Sequence, residues 1–284
     1  MKQKKSFHLD TRGVIADLFS GVDASVVANN DTLERIQQNC QHQQNPFSCY
    51  LTIVLSEQPQ VIWRHNTATH FGLVNLQYED IFSLIHPSWL FSYMSYARAM
   101  YRIAATFPDF VKTEGAAAGS LIPMRHRSGK YFWYHQVSIN AAMHNGQLAA
   151  HLNYYHQGAE YGSQLPTMPK LTTNGYLNPT MMEKLRQEGE DLAGPFMAPF
   201  LSDCQVTFML LYRKMVHVAN GKKVPQGAIL KEIPQLANIE NLNKYKQRIR
   251  VSLQDYFKHP MLDSAYSLAK LLNQYYPLAD KKFS

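Results

Sequence analysis

Cysteine is scarce in this chain. Three in 284 residues, Cys40, Cys49 and Cys204, are an odd number with no CxxC spacing, which argues against a disulfide framework and against a zinc knuckle. Apolar runs are short as well. None approaches the roughly 20 residues that cross a bilayer, and the basic opening MKQKKSFHLDTRG is not followed by the apolar stretch of a signal peptide. A non-membrane protein of a reducing, cytoplasmic compartment is expected.

Catalytic signatures are missing too. There is no GxSxG, no P-loop and no GxGxxG, and the carboxylates are few and scattered, so no enzymatic activity is expected. Twelve histidines invite a metal, yet no HxxxH or HxH pair occurs, and the chain is read without metal or cofactor.

Acidic residues run short in one place. Residues 1–199 hold 15 Lys+Arg and 15 Asp+Glu, whereas residues 200–284 hold 13 and 6, so the whole excess behind the net charge of +7 lies in the last third. Such asymmetry points to a nucleic-acid or other polyanionic partner, against the plainer reading of a solvated basic surface.

What is present divides into regions. Residues 1–45 carry two helical patterns, RGVIADLFSGV and NDTLERIQQNCQHQQNP; in the second, Asp31 with Glu34 makes a box-like cap and Asn45-Pro46 stops the helix. At Phe47 the period changes. FSCYLTIVLSEQPQVIWRHN reads as two strands around a turn at Glu57 to Gln60, TATHFGL as a short helix, and the segment after His86-Pro87 as a longer helix with Trp89, Tyr93, Tyr96, Met100 and Ile103 on one face. Three further strands follow, with turns at Ser128-Gly129 and His144-Asn145-Gly146. Residues 158–178, rich in Gly, Pro, Ser and Thr, read as a linker, and residues 179–284 as a helical domain in which Asp203 caps the helix CQVTFMLLYRKMVHVAN and Gly221 closes it.

The middle region, 46–157, resembles a PAS sensor domain. The element order is that of the family, IFSLIHPSWL is similar to its IHP.D segment, and MRHRSGKYFWYHQVSI to its R..dGkY.W strand pair. Ser88 stands where the family usually has an acidic residue. The resemblance implies an α+β fold, a five-stranded antiparallel sheet with helices on one face, a homodimer, and a small-molecule ligand between sheet and helices. It does not extend to the haem or flavin sensors of the same fold: the helix after Pro87 has no histidine, and Cys49 lies in the first strand.

Alternation along the last strands divides Tyr131, Trp133, His135, Val137 and Ile139 from Phe132, Tyr134, Gln136, Ser138 and Asn140, and Leu148, Ala150, Leu152 and Tyr154 from Ala149, His151, Asn153 and Tyr155. Placing the more apolar sets inward gives Trp63, Tyr93, Met100, Trp133, Leu152 and Tyr154 as pocket residues.

In the helical domain, Leu242, Tyr245, Ile249, Leu253 and Tyr256 form a seam. Lys244 with Arg248, and Lys246 with Arg250, flank it about 100° to either side. Together with Lys270, after a short turn at His259-Pro260, these are the expected phosphate contacts of a DNA-binding transcriptional regulator. The alternative is a dimerising protein-interaction module whose lysine and arginine stems merely pack beside the seam.

Overall fold

A computed structural model describes residues 11–42, 45–107, 116–162, 170–197, 200–236, 238–257, 263–275 and 278. The His259-Pro260 turn lies outside the described residues. The chain forms two compact units: a sheet unit that runs to Leu185 and a helical unit that begins at Arg186.

The sheet unit opens with α1 (Thr11–Leu18), α2 (Ala24–Ala28) and α3 (Asp31–His42). The residue that caps α3 is Asn30, one position before the expected Asp31: its side-chain oxygen accepts from Leu33 N–H at 3.0 Å. Then come β1 (Ser48–Val54), β2 (Gln60–His65), α4 (Thr67–Phe71), α5 (Tyr78–Leu84) and α6 (Pro87–Thr106). Helix α6 starts where proline is harmless, at its first position, and His86 C=O accepts from Trp89 and Leu90. Strands β3 (Ala117–Arg125), β4 (Tyr131–His144) and β5 (Gln147–Glu160) follow, then β6 (Lys170–Thr173) and β7 (Tyr176–Leu177).

The result is an α+β fold with one antiparallel sheet of seven strands, in the order β2-β1-β5-β4-β3-β6-β7, where five were expected. The two extra strands come from the segment whose composition reads as a linker. Asn174 and Gly175 sit at φ 52° and 78°, the left-handed pair that a two-residue hairpin turn needs. The hairpin adds to β3 through Ala117, Ala118 and Gly119.

The faces of the sheet are the reverse of the apolar-inward expectation. Paired residues point to the same side, so Leu152, Thr52 and Trp63 share one face, and Gln136, Ser138, Asn153 and Ile53 share the other. The second set faces α5 and α6. The first is covered from outside by α3, whose Gln37 donates to Thr52 Oγ at 3.2 Å. Helices therefore lie on both faces and not on one. Both faces being covered, the seven residues of β1 are all buried. Helix α1 packs on α6, with Phe19 edge-on to Tyr101.

The helical unit holds most of α7 (Pro179–Met197), then α8 (Asp203–Val218), α9 (Gln226–Glu232), a 3-10 turn at Pro234–Leu236, α10 (Ile239–Phe257) and α11 (Ala265–Tyr275). Its core is the buried face of α8, Phe208, Met209, Tyr212 and Val216, closed by Leu242, Ile249 and Leu253 of α10 and Leu268 and Leu272 of α11. Ser202 with Gln205 caps α8, one residue ahead of the expected Asp203, and Gly221 at φ 75° follows its end.

Candidate ligand cavity and basic face

Between α5, α6 and the inner face of the sheet lies a cavity of about 100 Å³. Its helix side is aromatic, with Tyr78, Phe82, Trp89, Tyr93, Tyr96 and Tyr101; its sheet side is polar, with Ser120, Gln136, Ser138, Asn140, His151 and Asn153. Among the described residues that line it, none is Asp, Glu, Lys or Arg. Leu121 lines the cavity while remaining 46% exposed, which places the rim at β3, beyond the three residues that pair with β6.

The polar side is internally ordered. Gln136 Nε2 donates to Tyr93 Oη and to Ser138 Oγ, each at 3.4 Å; Ser138 donates in turn to Asn153 Oδ1, and Asn153 Nδ2 to Tyr155 Oη at 3.3 Å. A buried amide or hydroxyl must find such partners. One group does not: Ser92 Oγ, on a residue 1% exposed, has no hydrogen-bond partner among the described residues. His151, also buried, has the ring of Tyr101 beside it.

Burial fixes the protonation of the wall. The His151 pKa falls from 6.5 to about 4 because burial makes a charged imidazolium unfavourable, so it stands neutral, with one donor and one acceptor nitrogen. Burial likewise pushes the Tyr93 and Tyr101 hydroxyls up from 10, the Gln136 bond to Tyr93 and the Tyr78 bond to Tyr101 opposing it. Tyr101 joins the cavity to the N-terminal helices: its ring lies 6.0 Å from that of His151 and 6.1 Å from that of Phe19.

Of the six expected pocket residues, Tyr93 and Met100 line the cavity. Trp63, Leu152 and Tyr154 do not; they belong to the face under α3, where Trp63 stacks on His65 and Tyr154 bonds Ser48. Trp133 packs edge-on against Trp89 and Tyr161 rather than lining the space. Gln136, Ser138, His151 and Asn153 escaped the apolar-inward rule, although a run of polar residues on one parity of a strand, opposite another such run, signals them.

In the helical unit, Lys244 is exposed and paired with Glu240 one turn earlier, and Arg248 and Arg250 are exposed on α10. Lys246 lies 5.4 Å over the ring of Tyr212, and its pKa is lowered by burial and then by Lys223. Lys270 and Lys223 both lie over the ring of Tyr266, at 5.9 and 5.6 Å. Lys223, which the helical pattern could not reveal because it follows the end of α8, thus completes a cluster of three cations drawn from three segments. Among the described residues none of the three has an ion-pair partner.

No protein-family model matches the chain, and no curated protein matches it significantly. The structure by itself defines a mixed α+β unit followed by an all-α unit. Among the described residues no helix is long and apolar enough to cross a membrane, and no group of three metal-ligating side chains occurs.

Proposed function

We propose that the protein is a non-catalytic PAS-like sensor, in which the sheet unit holds a small molecule and the helical unit carries the output of a homodimer. The cavity carries this reading: a space with a polar floor, an aromatic roof and a buried hydroxyl, Ser92 Oγ, that has no partner among the described residues is built like a binding site and not like a packed core. The order of elements, two strands, short helices, one longer helix and three strands, supports it. A ligand shifts an equilibrium only by binding one state better. The Tyr101 contact between His151 and Phe19 offers one place where an occupied cavity differs from an empty one. A screen of small molecules by thermal stabilisation of the full chain tests the reading, with Met100→Trp, which fills the cavity, as the control that abolishes any shift.

The cluster of Lys223, Lys246 and Lys270 favours a nucleic-acid output over a purely protein-docking one. Anisotropy of labelled duplex DNA against salt measures it: each neutralised phosphate contributes a slope of about 0.9 in log K against log salt. Lys223→Ala with Lys270→Ala is expected to reduce the slope by about 2. Absence of binding at low salt refutes the DNA reading and leaves the protein-interaction alternative.

A further inference from the structure

The cavity wall restricts its occupant beyond size. A charged ligand entering it would leave water and, among the described residues, meet no opposite charge, since those that line the space include no carboxylate and no lysine or arginine. Among the described lining residues the one titratable base is His151, and it is buried. Desolvating an ion with no partner costs several kcal/mol, so the site discriminates against charge of either sign.

The two sides of the cavity differ in chemistry. On the helix side, Trp89, Tyr93, Tyr96 and Tyr101 present ring faces and edges, which attract a second ring in offset or edge-on packing. On the sheet side, the directions of the existing hydrogen bonds leave particular capacity over. Gln136 has given its amide protons to Tyr93 and Ser138, so its oxygen remains an acceptor, and the Tyr93 hydroxyl, already accepting, keeps its own proton to donate. Ser92 adds a hydroxyl that can do either, and His151 adds one donor and one acceptor. Both a donating and an accepting group on the occupant are therefore answered. The space of about 100 Å³ is somewhat smaller than an apolar cavity of about 150 Å³ that takes up benzene, and it opens at Leu121.

We propose that the cavity binds a neutral, single-ring or small fused-ring molecule of about six to nine heavy atoms that carries a hydroxyl, amide or ring N–H, its ring against α6 and its polar edge toward Ser92, Gln136 and His151. This rests on the sensor reading above and specifies its ligand class.

The test uses the full chain and a panel of similar size: phenol, indole and benzamide as neutral rings, benzoate and benzylammonium as charged ones, toluene as the ring without a polar group, and acetamide and 2-butanol without a ring. Binding is followed by thermal stabilisation and by titration calorimetry. Phenol, indole and benzamide are expected to bind at least about 100-fold more tightly than benzoate or benzylammonium. Ser92→Ala, a change small enough to keep the fold, is expected to weaken phenol by about fivefold to tenfold and to leave toluene unchanged. Preference for a charged or acyclic probe overturns the ligand class while leaving the cavity a binding site. Equal effects of Ser92→Ala on phenol and toluene overturn the assignment of the polar edge. No binding by any of the eight overturns the ligand class and the sensor reading together.

Discussion

Lowering the pH should unfold the sheet unit by a mechanism centred on His151. In the folded protein this imidazole has a pKa of about 4, in the unfolded chain the ordinary 6.5. Between these values the unfolded state binds a proton that the folded state refuses, so stability rises with pH. Its contribution is complete above pH 6.5 and is lost progressively as the pH falls toward 4. The interval of about 2.5 units corresponds to roughly 3 kcal/mol in all, of which about 2 kcal/mol has gone by pH 5. All three tryptophans, Trp63, Trp89 and Trp133, lie in the sheet unit, so their fluorescence reports the urea unfolding of that unit alone. Other histidines, among them His70, His86 and His135, are shifted down by burial as well, and they add to the same slope. The comparison is therefore between wild type and His151→Gln, each at pH 7.5 and pH 5. The wild type should lose about 2 kcal/mol more than the variant over that interval. Equal losses would mean that His151 is not held neutral by burial.

Other consequences can be measured separately. Gly175→Val puts a branched side chain at φ 78° and should cost at least about 1 kcal/mol, read as earlier loss of amide protection in Lys170–Thr173 than elsewhere in the sheet. Asn178→Ala removes the acceptor of Met181 N–H at the start of α7 and its own bond to Thr173, and should destabilise by about 1 kcal/mol in the same urea titration. Leu253→Ala opens space under the α8 core and should cost about 2–5 kcal/mol, seen in far-UV circular dichroism while tryptophan fluorescence stays unchanged. A thiol reagent should modify Cys204 alone in the native protein, since Cys40 and Cys49 are buried and burial raises both of their pKa values; a second thiol reacting without denaturant would contradict this.

Elements with a strong period were legible in the sequence. The change at Phe47 from helical to strand pattern, the helix beginning after His86, and the turns at Gly129 and Gly146 all lie where the residues place them. Two things were not legible, each for a physical reason. Alternation says which residues share a face but not which face is inward when both are covered, and here α3 covers the apolar side while the cavity takes the polar one. Choosing the more apolar set assumes that one side of the sheet meets water, and that assumption moved Trp63, Leu152 and Tyr154 to the wrong side of the sheet. The hairpin of β6 and β7 was hidden in a segment whose composition suggested a linker, although Asn174-Gly175 is itself a strong turn signal between Leu171 and Leu177. Caps, too, slipped by a residue: Asn30 and Ser202, not Asp31 and Asp203, hold the helix starts, because several neighbouring residues can each accept an N–H and only backbone geometry chooses among them.

The short hairpin also determines how the sheet ends. An open strand edge is a template on which another chain can build, and proteins avoid long flat ones. At one end of this sheet the last strand, β7, is two residues long, too short to seat a neighbour. At the other end β2 has six residues, and its Arg64 turns back to donate to the Val61 carbonyl at 2.8 Å, leaving one main-chain acceptor fewer for an incoming strand. Growth of the sheet from molecule to molecule is thus discouraged at β7 and at β2, and among the described residues the part of β3 just beyond Gly119, which β6 does not pair, is the stretch of margin that stays open beside the cavity rim.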